Sequence, residues 1–415
     1  MTLDTAHPLG IDRTWRERAR AVIPNGMYGH QSTRLMPEGF PQFLVRAQGG
    51  RIWDVDGNEY VDLMCSYGPI VLGHHHPAVD AAVREQQSLG DCQNGPSPVM
   101  VELSELFVET VDHADWAMMA KNGTDATTMC VTIARATTGK RKVMVATGAY
   151  HGAAPWCTPV MSGVVDEDRA HLVHYTFNDE ESVRQAVERC GDDLAAIVVS
   201  PFKHDARHDQ EMVDPVWARM LRQVCDDTGA ALILDDVRCG FRLAYGGSWE
   251  TVDVEPDLSA WSKAIANGHP LAAVLGNDRF RDGASSIFTT GSFWFSAVSM
   301  AAGVATIRAL GAENGLASMQ RAGQRLRDGL AAQAHSYGLT INQTGPVTMP
   351  LLTFAADVEF ERANRWSGTA AQHGAYLHPW HNWFMCAAHT DEDIDLALAA
   401  TDIAFGAVRE EFGAD

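Results

Sequence analysis

The chain reads as an α/β protein, and three observations predict that class. From about residue 75 to residue 300, short apolar runs alternate with stretches of helical periodicity, the pattern of a mostly parallel sheet covered by helices on both faces. Runs such as Leu194 to Val199 and Ala231 to Leu234 are continuously apolar, as strands buried on both sides are. At 415 residues, 46% hydrophobic and 20% charged, the chain can bury a large core and still build a smaller lobe.

In chain order, residues 12 to 22 are predicted helical and stop at Pro24-Asn25-Gly26, and Arg51 to Leu63 is predicted to be a hairpin turning at Asp56-Gly57-Asn58. These form an N-terminal lobe, residues 1–70. His74 to His76 invite a metal assignment, but consecutive side chains do not readily converge on one ion and no acidic or cysteine ligand accompanies them, so no metal is expected. Pro77 is placed to start the next helix, with Val79, Ala82 and Val83 on one face. Trp116 to Ala120 is a predicted strand, followed by a Gly-bearing turn and a helix that puts Ala126, Met129, Cys130 and Ile133 on one side. Backbone N–H groups at such a helix start hold an anion without any basic side chain, although Thr124 or Asp125 can equally serve as a plain N-cap. KVMVATGAYHG is another strand ending in a turn, where the Tyr150 ring either packs or stacks on a ligand. Pro215 to Gly229, Ala297 to Leu310 and Gly315 to Gln333 are predicted helices, and the chain closes with an α+β lobe. The expected divisions are 71–312 for a large domain and 313–415 for a small one.

The chemistry concentrates after Ala231. That strand ends in Asp235 and Asp236, and a buried carboxylate needs a cationic partner. Lys263 follows the short strand Leu258 to Trp261, in an apolar, Trp-flanked setting that lowers an ammonium pKa by desolvation. An acid that keeps a pyridine nitrogen protonated and a lysine that holds an aldehyde as an imine suit pyridoxal phosphate; an internal Asp–Lys ion pair is the alternative. Only five of the 32 basic residues are lysines (121, 140, 142, 203 and 263), leaving 27 arginines, and of the five only Lys263 is well placed to be a Schiff base.

LILDDVRCGFR followed by PDLSAWSKAIANGHPLAAVLG resembles the signature of class III, fold type I aminotransferases, nearest to the glutamate-1-semialdehyde aminomutase group. The likeness extends through RIWDVDGNEYVDL, GPIVLGHHHPAV, NGTDA, GAYHG, GSFWFSAVSMAAG and FMCAAHTDEDID. It implies a large domain with a mostly parallel seven-stranded sheet, a small α+β lobe drawn from both ends of the chain, and pyridoxal 5'-phosphate on Lys263. Asp235 is then the partner of the ring nitrogen, Gly123 and Thr124 hold the phosphate, Tyr150 and Val237 lie on the two ring faces, and Ser292 reaches the phosphate from the partner subunit of a homodimer. Arg34, Tyr67 and His381 become candidates for substrate contact. The chain departs from the family pattern at Ser200, where an acid is usual, in the loop carrying His204, Asp205 and His208, at the bulky Phe293-Trp294-Phe295, and at His381, where the aminomutase relatives carry an acid. These departures favour amino transfer between an amine or amino acid and a keto acid or aldehyde over an intramolecular aminomutase. A decarboxylase, a racemase and a non-catalytic relative use or retain the same residues.

A net charge of −21 with no basic run argues against nucleic-acid or anionic membrane partners. No signal segment and no apolar run of about 18 residues appear, so a cytoplasmic protein acting on small molecules is expected. Eight scattered cysteines without a CxxC pair read as reduced structural thiols.

Overall fold

A computed structural model describes residues 7–32 and 35–415. They form two compact units, one made of residues up to His76 with 206–209 and 317–415, the other of 77–205 and 210–316. Arg34 lies outside the described residues.

The larger unit is built on a seven-stranded sheet, in spatial order Trp116–Ala120, Ala272–Gly276, Leu258–Trp261, Ala231–Asp235, Leu194–Val199, Lys142–Ala146 and Leu172–Tyr175. Ala272–Gly276 runs antiparallel to both its neighbours and every other adjacent pair is parallel. Four central strands are buried along their whole length, which explains their unbroken apolar sequence. Successive residues face opposite layers. Val198, Ile233 and Val274 pack under the helix Gly123–Thr138 with Ala126, Met129 and Ile133, while Ile197, Leu232 and Leu234 meet Val183 of the helix Glu180–Cys190 and Trp217 and Leu221 of the helix Pro215–Thr228. Trp217 is fully buried, its ring 4.9 Å from that of Phe177.

Because these strands share a direction, their carboxyl ends open on one edge of the sheet, where α/β proteins bind ligands. Asp235, Ser262-Lys263, the turn at Asn122 and the loop after Val199 all lie at that edge.

The smaller unit carries the predicted hairpin, Arg51–Asp54 with Glu59–Asp62, inside a four-stranded sheet completed by Leu44–Gln48 and Ala375–Tyr376. Asp54 shapes the turn by accepting the amides of Asp56 and Asn58. Trp366 stacks on Trp383 at 5.7 Å beside Phe405 to form the core, and the helix Asp391–Phe412 begins in a capping box of Thr390 and Asp393. Cys65, Ser66 and Tyr67 occupy three successive left-handed conformations, φ 46°, 56° and 63°, a strain the fold sustains by anchoring the amides of Met64 and Cys65 on Asp62 Oδ1. The three histidines do not converge: His74 Nε2 lies 2.8 Å from Asp62 Oδ2 while His75 takes a left-handed φ of 54°. Cys65, Cys386 and His389 gather within 4.8 Å, but both ring nitrogens of His389 are engaged, Nδ1 by the Cys386 amide and Nε2 by the Asp62 carbonyl.

Candidate active site

A cavity of about 280 Å³ opens at the carboxyl edge of the large sheet, lined by Gly123, Thr124, Tyr150, Asp235, Val237 and Lys263 together with His151, His204 and Arg238. Six of the residues singled out from sequence therefore meet on one volume.

Lys263 follows Trp261 and Ser262 at the strand end, and its φ of 51° is one a lysine adopts only when its surroundings impose it. Burial, reinforced by the nearby Arg238 guanidinium and opposed by Asp235, brings its ammonium down to about 8. Near neutral pH the lysine thus carries an appreciable neutral fraction, as a nucleophilic amine requires.

Asp235 is 6% exposed, and its carboxylate is fixed on both oxygens: His151 Nδ1 lies 2.7 Å from Oδ2, and the Val237 amide donates to Oδ1 at 3.2 Å. A carboxylate only accepts, so the proton of this contact sits on Nδ1. His151 Nε2 is enclosed without a partner. His151 was not singled out from sequence. Its signal was present in GAYHG, but its pairing with a residue 84 positions away exists only in the fold.

The helix Gly123–Thr138 starts at the cavity, and its cap is Asn122, whose side chain accepts the Asp125 amide at 3.0 Å, rather than Thr124 or Asp125. Asn122 is extended, the usual N-cap conformation, which leaves the amides of Gly123 and Thr124 in the first turn, free of intrahelical partners and backed by the helix dipole. Only glycine fits at 123: a Cβ there would lie 2.6 Å from Val237 Cγ1. Thr124 Oγ1 accepts the Ala153 amide at 3.0 Å, tying the helix start to the loop after Tyr150. Tyr150 is 38% exposed.

Tyr67 and His381 lie together in the smaller unit, their rings edge to face at 5.2 Å with His378 close by. Tyr67 is half-buried, and this desolvation pushes its phenol up to about 12. Ser292 sits in the turn Gly291–Ser296, between the exposed Phe288 and Phe293.

These residues fit pyridoxal phosphate: a partly neutral buried lysine, a pinned carboxylate, amides at a helix start whose glycine leaves no room for a side chain, and enclosed imidazole nitrogens awaiting a polar partner. Fold and site together define a fold type I enzyme dependent on that cofactor. The chain belongs to the class-III aminotransferases, whose family model matches residues 36–385. It is 49% identical to the aminopentol aminotransferase of Sphingopyxis macrogoltabida over 96% of this chain and 94% of that protein. It is 30% identical to a glutamate-1-semialdehyde 2,1-aminomutase of Desulfitobacterium hafniense, covering 92% of this chain and 94% of the relative. Among solved structures, the FumI protein of Sphingopyxis sp. MTA144 in its PLP internal aldimine form superposes with a TM-score of 0.96 at 48% identity, covering 97% of each chain. The protein is a pyridoxal-phosphate-dependent aminotransferase.

Proposed function

We propose that the cavity around Lys263 is where the cofactor binds and the amino group is transferred, with Lys263 as covalent anchor and proton carrier. The observation carrying this reading is the meeting of Lys263, Asp235, Tyr150, Val237 and the Gly123 helix start on one enclosed volume. When bound, pyridoxal phosphate supplies an aldehyde that takes up the amino group and a protonated ring that draws electrons from the neighbouring carbon. Asp235, oriented by His151, holds the proton on the ring nitrogen. The amides of Gly123 and Thr124 bind the phosphate, and Tyr150 and Val237 cover the ring faces. Lys263 Nζ takes a proton from the amine-bearing carbon of the substrate and delivers it to the acceptor side, a task matched to an amine that titrates near 8.

The exchange runs between an amine or amino acid and a keto acid or aldehyde. For the donor we infer an amino alcohol of the kind named for the aminopentol-transferring relative. No arginine lies between Arg365 and Arg409 to take a substrate carboxylate. Arg34, Tyr67 and His381 keep a substrate role on their sequence context alone. A homodimer is the proposed working form, with the partner subunit's Ser292 on the phosphate; the exposed aromatics Phe288 and Phe293 are the kind of surface a subunit interface covers. A cytoplasmic location accords with eight free cysteines, seven of them buried. The test is a comparison of kcat/KM for amino alcohols and for α- and β-amino acids with one keto-acid acceptor. Preference for amino alcohols is the expected result; preference for amino acids, or isomerisation of one substrate without a second carbonyl compound, would overturn the assignment.

A further inference from the structure

The loop leaving the strand Leu194–Val199 reads Ser200-Pro201-Phe202-Lys203-His204, and it brings His204 into the wall of the Lys263 cavity. His204 is 6% exposed, and its Nδ1 is enclosed with no hydrogen-bond partner. The ring is nevertheless held in place. Phe202 meets it edge to face at 5.2 Å, and Arg238 Nη1 donates to the His204 carbonyl at 3.2 Å.

Several other polar side chains around the cavity have partners within the protein, and the other enclosed nitrogen without a partner, His151 Nε2, carries no proton to give while Nδ1 holds it against Asp235. Asn122 is bonded to Asp125, Thr124 to the Ala153 amide, His151 Nδ1 to Asp235, and Ser262 to the Leu271 carbonyl. A buried imidazole fixed in position without its own partner costs stability unless a bound molecule completes it. This step rests on the reading that pyridoxal phosphate occupies the cavity. In that reading the phosphate is met by Gly123 and Thr124, the ring nitrogen by Asp235 and the aldehyde by Lys263. The one polar group of the cofactor left over is the ring oxygen beside the aldehyde.

We propose that His204 donates a hydrogen bond to that ring oxygen and is a cofactor-binding residue of this enzyme. Burial first, then the neighbouring Arg238 guanidinium and Lys263 ammonium, hold its imidazole well below the usual range. It is therefore neutral, with one N–H to give.

The test uses His204→Phe, which keeps a ring against Phe202 but cannot donate, and His204→Gln, whose amide can; His204→Leu replaces the first if it does not fold. The holoenzymes are compared at one pH by the absorbance maximum of the bound cofactor and by its dissociation constant from spectral titration. In the absence of substrate, His204→Phe shifts the maximum and weakens binding by about ten- to a hundredfold, the range for a hydrogen bond to a charged acceptor, while His204→Gln stays near wild type. A His204→Phe spectrum and affinity equal to wild type, or equal losses in both variants with altered near-ultraviolet dichroism, overturns the assignment. Absence of any cofactor band in the wild-type protein would instead remove the cofactor reading on which it stands.

Discussion

Asp236 follows Asp235, which lines the cavity, into a fully buried position. Its carboxyl accepts from Ser248 Oγ and from the Ser248 amide, and no cationic side chain pairs with it among the described residues. Burial pushes this carboxyl up to about 7; the Ser248 hydrogen bonds oppose the shift and the Asp235 charge adds to it. The sign follows directly. In the unfolded chain the group titrates near 3.8, so between that value and about 7 folding takes up a proton, and stability falls as pH rises. The full penalty is present above pH 7 and absent below about pH 4, and the gap corresponds to roughly 4 kcal/mol as an upper bound. Asparagine has the same shape and no charge: its Oδ1 can keep the Ser248 amide, and its Nδ2 can donate to Ser248 Oγ. Allowing for one reversed hydrogen bond, Asp236→Asn stabilises the cofactor-saturated enzyme by about 1–3 kcal/mol at pH 8, with about half that gain left near pH 5.5. Urea midpoints of both proteins at the two pH values give the measurement. Equal stability at pH 8, or a loss of the same size at both, would refute the reasoning.

Cofactor capture should depend on pH through Lys263. With its ammonium near 8, the neutral fraction grows from about a tenth at pH 7 to about nine-tenths at pH 9, so the rate at which cofactor-free enzyme takes up pyridoxal phosphate rises nearly tenfold over that span and then levels. A rate still climbing through pH 10.5 would mean the amine is not desolvated. Gly123→Ala places a methyl 2.6 Å from Val237 Cγ1 and lowers affinity for the cofactor at least tenfold while the protein stays folded, as read by spectral titration; unaltered affinity would contradict the cradle. Trp217→Ala empties the layer beneath Leu232 and Leu234 and costs about 3–5 kcal/mol in urea unfolding, and a cost below about 1 would place the core elsewhere.

The architecture was legible because each central strand is buried on both faces and so written in apolar residues throughout, as in Leu194–Val199. Lys263 and Asp235 could be read because a charge at the end of such a strand is costly without a purpose. What sequence hid is of two kinds. Backbone strain is one: neither the left-handed turn at Lys263 nor the run Cys65–Tyr67 has a glycine to announce it. Tertiary pairing is the other. His151 reaches Asp235, and His381 reaches Tyr67, across separations that no local pattern records. The choice of Asn122 as cap, over Thr124 or Asp125, turned on an extended backbone two residues earlier than the threonine suggested.

The central claim is that Lys263 carries the amino-transfer chemistry. Its most direct test is the near-ultraviolet and visible spectrum of wild-type and Lys263→Ala protein after loading with pyridoxal phosphate and dialysis, followed by addition of an amine and then a keto acid. The wild type should keep a band near about 410–430 nm that the amine bleaches and the keto acid restores. The variant should show neither the retained band nor turnover, and a Lys263→Ala protein that kept the band and cycled it would contradict the account.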